Sequence, residues 1–168
     1  MGSKPPIWRR IEVNPDTLLE DLHMIIQISM GWMNGHLHQF IADREFYGPK
    51  NDWDDFATDY TGLKITNFLL RAGDKIRYEY DFGDSWLHEI QLEKIKEADK
   101  DTHYPICTKG KLACPPEDCG GVWGYMNLLD IISDKSHPSY EEMMDWLDGK
   151  FDPQHFDVNE VNRSLQSK

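Results

Sequence analysis

The stretch from Lys75 to Glu93 constrains this chain more than any other, because it spells a hairpin whose register can be argued from the letters. Ile76, Tyr78, Tyr80 and Phe82 alternate with Lys75, Arg77, Glu79 and Asp81, the period of a strand with one buried face. Trp86, His88, Ile90 and Leu92 then alternate with Leu87, Glu89, Gln91 and Glu93. A two-residue Gly83-Asp84 loop would set the aromatic face of one strand against the polar face of the other. A three-residue loop of Gly83, Asp84 and Ser85 pairs Phe82 with Trp86, Tyr80 with His88, Tyr78 with Ile90 and Ile76 with Leu92. The same register places Glu79 opposite Glu89, a like-charge contact costing about 0.2–1 kcal/mol.

Around this hairpin the sequence predicts an α+β fold in a single domain over residues 1–168. A largely antiparallel sheet centred on the hairpin packs against an N-terminal helix and C-terminal helices. Residues 7–13 read as a strand after Pro5-Pro6, and Asn14-Pro15 as the cap and first turn of a helix over 15–30 stopped by Gly31. A second strand is expected over 35–43. Residues 48–62 form a loop rich in Asp and aromatics that lacks the glycine and closing Glu of an EF-hand. A short helical or irregular link follows over 63–70, then a turn at Gly73-Asp74. Residues 94–103 are charged and should be exposed, while Pro, Gly and Cys density makes 104–125 irregular up to a helix over 122–132. Ser139 with Glu142 and Asp157 with Glu160 signal two more helix starts.

Composition narrows the function classes. A net charge of −12 opposes a nucleic-acid surface, which needs a basic patch or stripe. The longest apolar run, 22–33, falls short of the roughly 18 residues of a membrane span and is interrupted by His23 and Gln27. No signal peptide is visible and the three cysteines are not spaced as a disulfide framework, so the expected location is the cytoplasm.

Two places could carry chemistry. Cys107, Cys114 and Cys119 are a candidate zinc set completed by His103, His137 or Asp118; the competing reading is buried thiols acting as small apolar residues. His36 and His38 form a His-x-His pair on a strand and, with His88, a candidate catalytic metal cluster. Asp84 is a weaker catalytic candidate, since with Ser85 it also suits bonding within the turn. Of the six Trp, Trp53, Trp86 and Trp123 are candidates for a binding surface. Walker, dinucleotide and Gly-x-Ser-x-Gly motifs are absent from the sequence.

Several segments, in order along nearly the whole chain, resemble one family. They are Pro5-Pro6-Ile7-Trp8-Arg9-Arg10-Ile11, Leu22-His23 with Gly31-Trp32, His36-Leu37-His38-Gln39-Phe40, the run from Tyr78 through Asp81-Phe82-Gly83-Asp84 to His88, and Cys114-Pro115-Pro116-Glu117-Asp118-Cys119-Gly120-Gly121. Phe151-Asp152-Pro153, Phe156-Asp157 and Val161-Asn162 complete the pattern, which is similar to the plasmid pRiA4b ORF-3-like family. The resemblance implies an α+β domain without established catalytic residues, and a link to passenger or resolvase-like proteins of mobile elements. It also implies a strand ahead of Pro5, which this sequence has little room for. A serine resolvase needs a nucleophilic Ser amid arginines and a basic helix-turn-helix, and this acidic chain shows neither. The leading expectation is therefore a non-enzymatic binding module for a protein or peptide. A metal-dependent enzyme built on His36, His38 and His88, and a DNA-transaction accessory protein, are the alternatives.

Overall fold

The computed structural model describes residues 5–50 and 57–167. In chain order these form β1 (Trp8–Glu12), α1 (Leu19–Met30), β2 (His38–Ala42), β3 (Glu45–Gly48), β4 (Thr58–Asp59), a 3-10 turn (Ile65–Asn67), β5 (Lys75–Tyr80) and β6 (Trp86–Gln91). There follow β7 (Ile106–Lys111), α2 (Gly121–Ser133), α3 (Tyr140–Trp146) and α4 (Val158–Gln166). The fold is α+β. A five-stranded sheet in the order β4-β3-β2-β5-β6 is antiparallel except at β3–β4, and β1 pairs with β7 in a separate two-stranded sheet.

The hairpin is β5–β6, but its register differs by two residues from the one the alternation suggests. Tyr80 lies opposite Trp86, Tyr78 opposite His88 and Ile76 opposite Ile90, so the connection is the five residues 81–85. Asp81 causes the change. Its carbonyl accepts the Ser85 N–H at 2.6 Å, and its Oδ1 accepts Gly83 N–H at 2.9 Å and Asp84 N–H at 3.3 Å. An aspartate that bonds the backbone just ahead of it favours a turn over a ladder. Because side chains alternate with period two, a two-residue slip keeps the aromatic face together: Ile76, Tyr78, Tyr80 and Trp86 are all buried. Phe82 leaves the ladder and is 49 % exposed. The slip also separates Glu79 from Glu89. Arg77 now lies opposite Glu89, Lys75 Nζ approaches it at 2.8 Å, and Glu79 accepts from Gln39 and Ser85.

Other elements depart from expectation for similar reasons. Helix α1 begins at Leu19 rather than Pro15, since residues 17–19 pair their backbone with 63–65 through Leu19 N–H to Leu63 and Ile65 N–H to Thr17. Its predicted end holds, with Gly31 in the left-handed region at φ 86°. A strand, β7, runs through the stretch expected to be irregular, because pairing with β1 outweighs its composition. Gly110 permits that pairing: a Cβ there would lie 2.5 Å from the Phe156 ring and 2.9 Å from the Trp8 carbonyl oxygen. Ser139 precedes α3 without a side-chain cap, whereas Asp157 caps α4 by accepting Asn159 N–H.

Most of the core lies between α1 and the sheet, where Leu19, Leu22 and Ile26 meet Phe40, Tyr78, Tyr80 and Trp86. A second cluster of Ile25, Cys107 and Leu165 joins α1, β7 and α4. No helix among the described residues is long and apolar enough to cross a membrane.

Candidate functional site

Three segments meet at the turn end of β5, and the Tyr80 hydroxyl ties them together. It donates to Glu117 Oε1 at 2.5 Å and accepts the backbone N–H groups of Gly35 at 3.0 Å and His36 at 3.3 Å. Burial, and then the neighbouring Glu117 carboxylate, push its pKa up to about 12, so the hydroxyl keeps the proton it donates. Trp32 stacks on Tyr80 with ring centroids 4.8 Å apart and donates its Nε1–H to the Pro115 carbonyl. Glu117 also accepts Met33 N–H, and Asp81 N–H donates to the Leu37 carbonyl. Residues 31–37, 80–85 and 115–120 are thus locked as one unit.

His36 stands at the centre of that unit, edge-on to Tyr80. Its Nδ1 is 3.6 Å from Asp81 Oδ2 and its Nε2 is 3.4 Å from Asp118 Oδ1. Among the described residues, His36, Asp81 and Asp118 are the only group of three or more His, Cys, Asp or Glu whose donor atoms converge within 4.8 Å. Four large apolar side chains stand out on the same segments and on the first turn of α2: Met33 (84 % exposed), Leu37 (65 %), Phe82 and Trp123 (76 %).

The histidines singled out in the sequence do not converge. His38 lies on β2, where its Nε2 hydrogen-bonds the Tyr60 hydroxyl at 2.8 Å and its ring stacks on His23. Burial first, and the neighbouring His23 second, lower its pKa to about 3. His88 donates Nδ1–H to the Trp86 carbonyl and meets Trp32 edge-on, with burial lowering its pKa. Both rings are neutral at physiological pH.

Asp84 reaches across to α2, where its Oδ2 accepts Gly120 N–H at 3.1 Å and places a carboxylate at the helix N-terminus. Gly121 lets the two backbones approach, since a Cβ there would lie 2.5 Å from the Asp84 carbonyl oxygen. The cysteines do not form a trio. Cys107 sits in the second cluster beneath α4, while Cys114 and Cys119 pack against the main core. Burial raises all three thiols, Cys119 to about 12 with help from Asp84.

Of the aromatic candidates, Trp86 is core, Trp123 is exposed and Trp53 lies outside the described residues. Sequence reasoning missed Tyr80 as the organising hydroxyl and Glu117 as its acceptor. It named Asp81 and Asp118 separately, without bringing them to His36. A concavity of about 590 Å³ elsewhere, lined by Met24, Ile25, Ile28, Tyr104 and Leu165, contains none of these residues.

Comparison with known proteins finds relatives described as uncharacterized or of unknown function. The family described as plasmid pRiA4b ORF-3-like protein matches residues 1–160. The uncharacterized protein y4hQ of Sinorhizobium fredii is 32 % identical over 165 residues, which span 96 % of this chain and 84 % of that protein. The crystal structure of MM3350 from Methanosarcina mazei Go1, a protein of unknown function, superposes with a TM-score of 0.87. It shares 38 % identity across 95 % of this chain and 92 % of its own.

Proposed function

The chain belongs to the plasmid pRiA4b ORF-3-like family, and on that premise we propose that it is a binding module for a protein segment that carries basic and apolar side chains. One observation carries the reading: Met33, Leu37, Phe82 and Trp123 project into solvent from segments fixed to one another around Tyr80 and Asp81. Exposed aromatic and Met side chains on a pre-organised frame are the composition of interface centres. Asp118, which is 72 % exposed, adds negative charge at that rim, and the chain as a whole stands at −12, so a basic partner is favoured. The same charge weighs against a DNA-transaction role. Three free cysteines suit a reducing cytoplasm as the place of action.

The test is selection of short peptides from a randomised library on the full chain, followed by affinity measurement on Trp123→Ala and Leu37→Ser. Selected peptides should be basic with an apolar anchor, and Trp123→Ala should weaken them about tenfold or more. Acidic binders, or binders indifferent to both substitutions, would defeat the proposal.

A further inference from the structure

The grouping of His36, Asp81 and Asp118 supports an inference that stands whether or not the rim binds a peptide. The three donors come from three segments and converge without hydrogen-bonding one another. Asp81 is only 8 % exposed; its Oδ1 is held by two backbone N–H groups. Its Oδ2 makes no hydrogen bond among the described residues and points at His36 Nδ1 from 3.6 Å. Neither nitrogen of His36 makes a hydrogen bond among the described residues, the nearer carboxylate oxygen lying 3.4 Å from Nε2. One donor atom from each residue, a His36 ring nitrogen and one oxygen each of Asp81 and Asp118, lies within 4.8 Å of the other two, close enough for a small movement to bring all three onto one ion.

We propose that His36, Asp81 and Asp118 bind a single divalent first-row transition ion. One imidazole nitrogen with two carboxylate oxygens suits Zn²⁺ or Mn²⁺, and it leaves the remaining coordination positions open to water. The surroundings fit a ligand set. Gly83 and Asp84 N–H groups orient the Asp81 carboxylate, and the Tyr80 hydroxyl anchors the His36 backbone. Asp118 is mostly exposed, so its side chain is free to swing onto the nitrogen that takes the ion.

The experiment titrates chelator-stripped, untagged full chain with Mn²⁺ and follows backbone amide signals by NMR, with calorimetry of Zn²⁺ alongside. Mn²⁺ should saturate at one ion per chain and broaden signals centred on residues 35–37, 81–84 and 117–119. Asp118→Asn and His36→Gln, with unchanged circular dichroism, should each weaken binding about tenfold or more. Asp118 is exposed and outside any helix or strand, so its variant keeps the test clear of folding defects. Three results would overturn the proposal: no saturable binding of either ion, binding indifferent to both substitutions, or zinc held in a manner abolished by Cys114→Ser but not by Asp118→Asn.

Discussion

The Tyr80 hydroxyl and the Glu117 carboxylate are joined by a 2.5 Å hydrogen bond that fastens the Cys-Pro-rich loop to the end of the central hairpin. Tyr80 is fully buried as a residue, and the same oxygen accepts Gly35 and His36 N–H. Tyr80→Phe keeps the ring stacked on Trp32 but leaves a carboxylate and two backbone donors without this partner. Unsatisfied buried groups cost about 1–3 kcal/mol each, less where water can reach them. Urea unfolding should show a loss of about 1–3 kcal/mol, and hydrogen exchange should quicken at 33–37 and 115–120 while β2 and β3 stay protected.

The turn that sets this arrangement shows how far sequence could reach. Period-two alternation identified which side chains share a face, and a slip of two residues left that conclusion intact. The slip itself was illegible, because Asp81 reads as a polar strand position until its left-handed backbone and its bonds to Gly83 and Asp84 are seen. Hairpin β2–β3 was missed for a related reason: its turn places Asp43 and Arg44 at φ 50° and 72°, and arginine seldom advertises that conformation. At the site, His36 and Asp118 were candidates in two separate sets, and Asp81 read only as a polar strand position. Their meeting depends on Tyr80 and Glu117 drawing together segments more than thirty residues apart, a relation no local pattern encodes.

Burial of His38, reinforced by the His23 ring stacked on it with ring centroids 3.4 Å apart, makes stability depend on pH. Folded His38 titrates at about 3 against 6.5 when unfolded, so between those values the unfolded chain binds a proton that the folded chain refuses. The contribution is fully present above 6.5 and is lost as pH falls toward 3, at up to about 1.4 kcal/mol per pH unit. Burial of His88 acts in the same direction, while the exposed His155–Glu160 pair acts weakly in the opposite one. Urea midpoints should drop from pH 7 to pH 5, and His38→Gln should flatten the slope. An unchanged slope would assign the pH dependence elsewhere.

Gly110→Ala should destabilise through the β1–β7 sheet. The added methyl would lie 2.5 Å from the Phe156 ring on one side and 2.9 Å from the Trp8 carbonyl on the other, and the carbonyl cannot yield. Overpacking of this kind costs about 1–3 kcal/mol. Thermal unfolding should show the loss, whereas Gly35→Ala, where a Cβ meets open space at an ordinary φ, should stay within about 0.5 kcal/mol of the parent.

Asp84→Ala removes the acceptor of Gly120 N–H and the negative charge at the start of α2. Loss of such a cap costs about 0.5–2 kcal/mol, and Asp84→Asn should recover part of it by keeping the acceptor without the charge. Equal stability of both variants and the parent would assign Asp84 no part in holding α2 to the hairpin.

The surface around Tyr80 and Asp81 is the centre of the functional account, and amide chemical-shift mapping with a selected basic, apolar-anchored peptide tests it most directly. The changes should cluster at 33–37, 81–85 and 117–123. A footprint confined to the concavity lined by Met24, Ile28, Tyr104 and Leu165 would contradict the account and move the functional surface to the far side of α1.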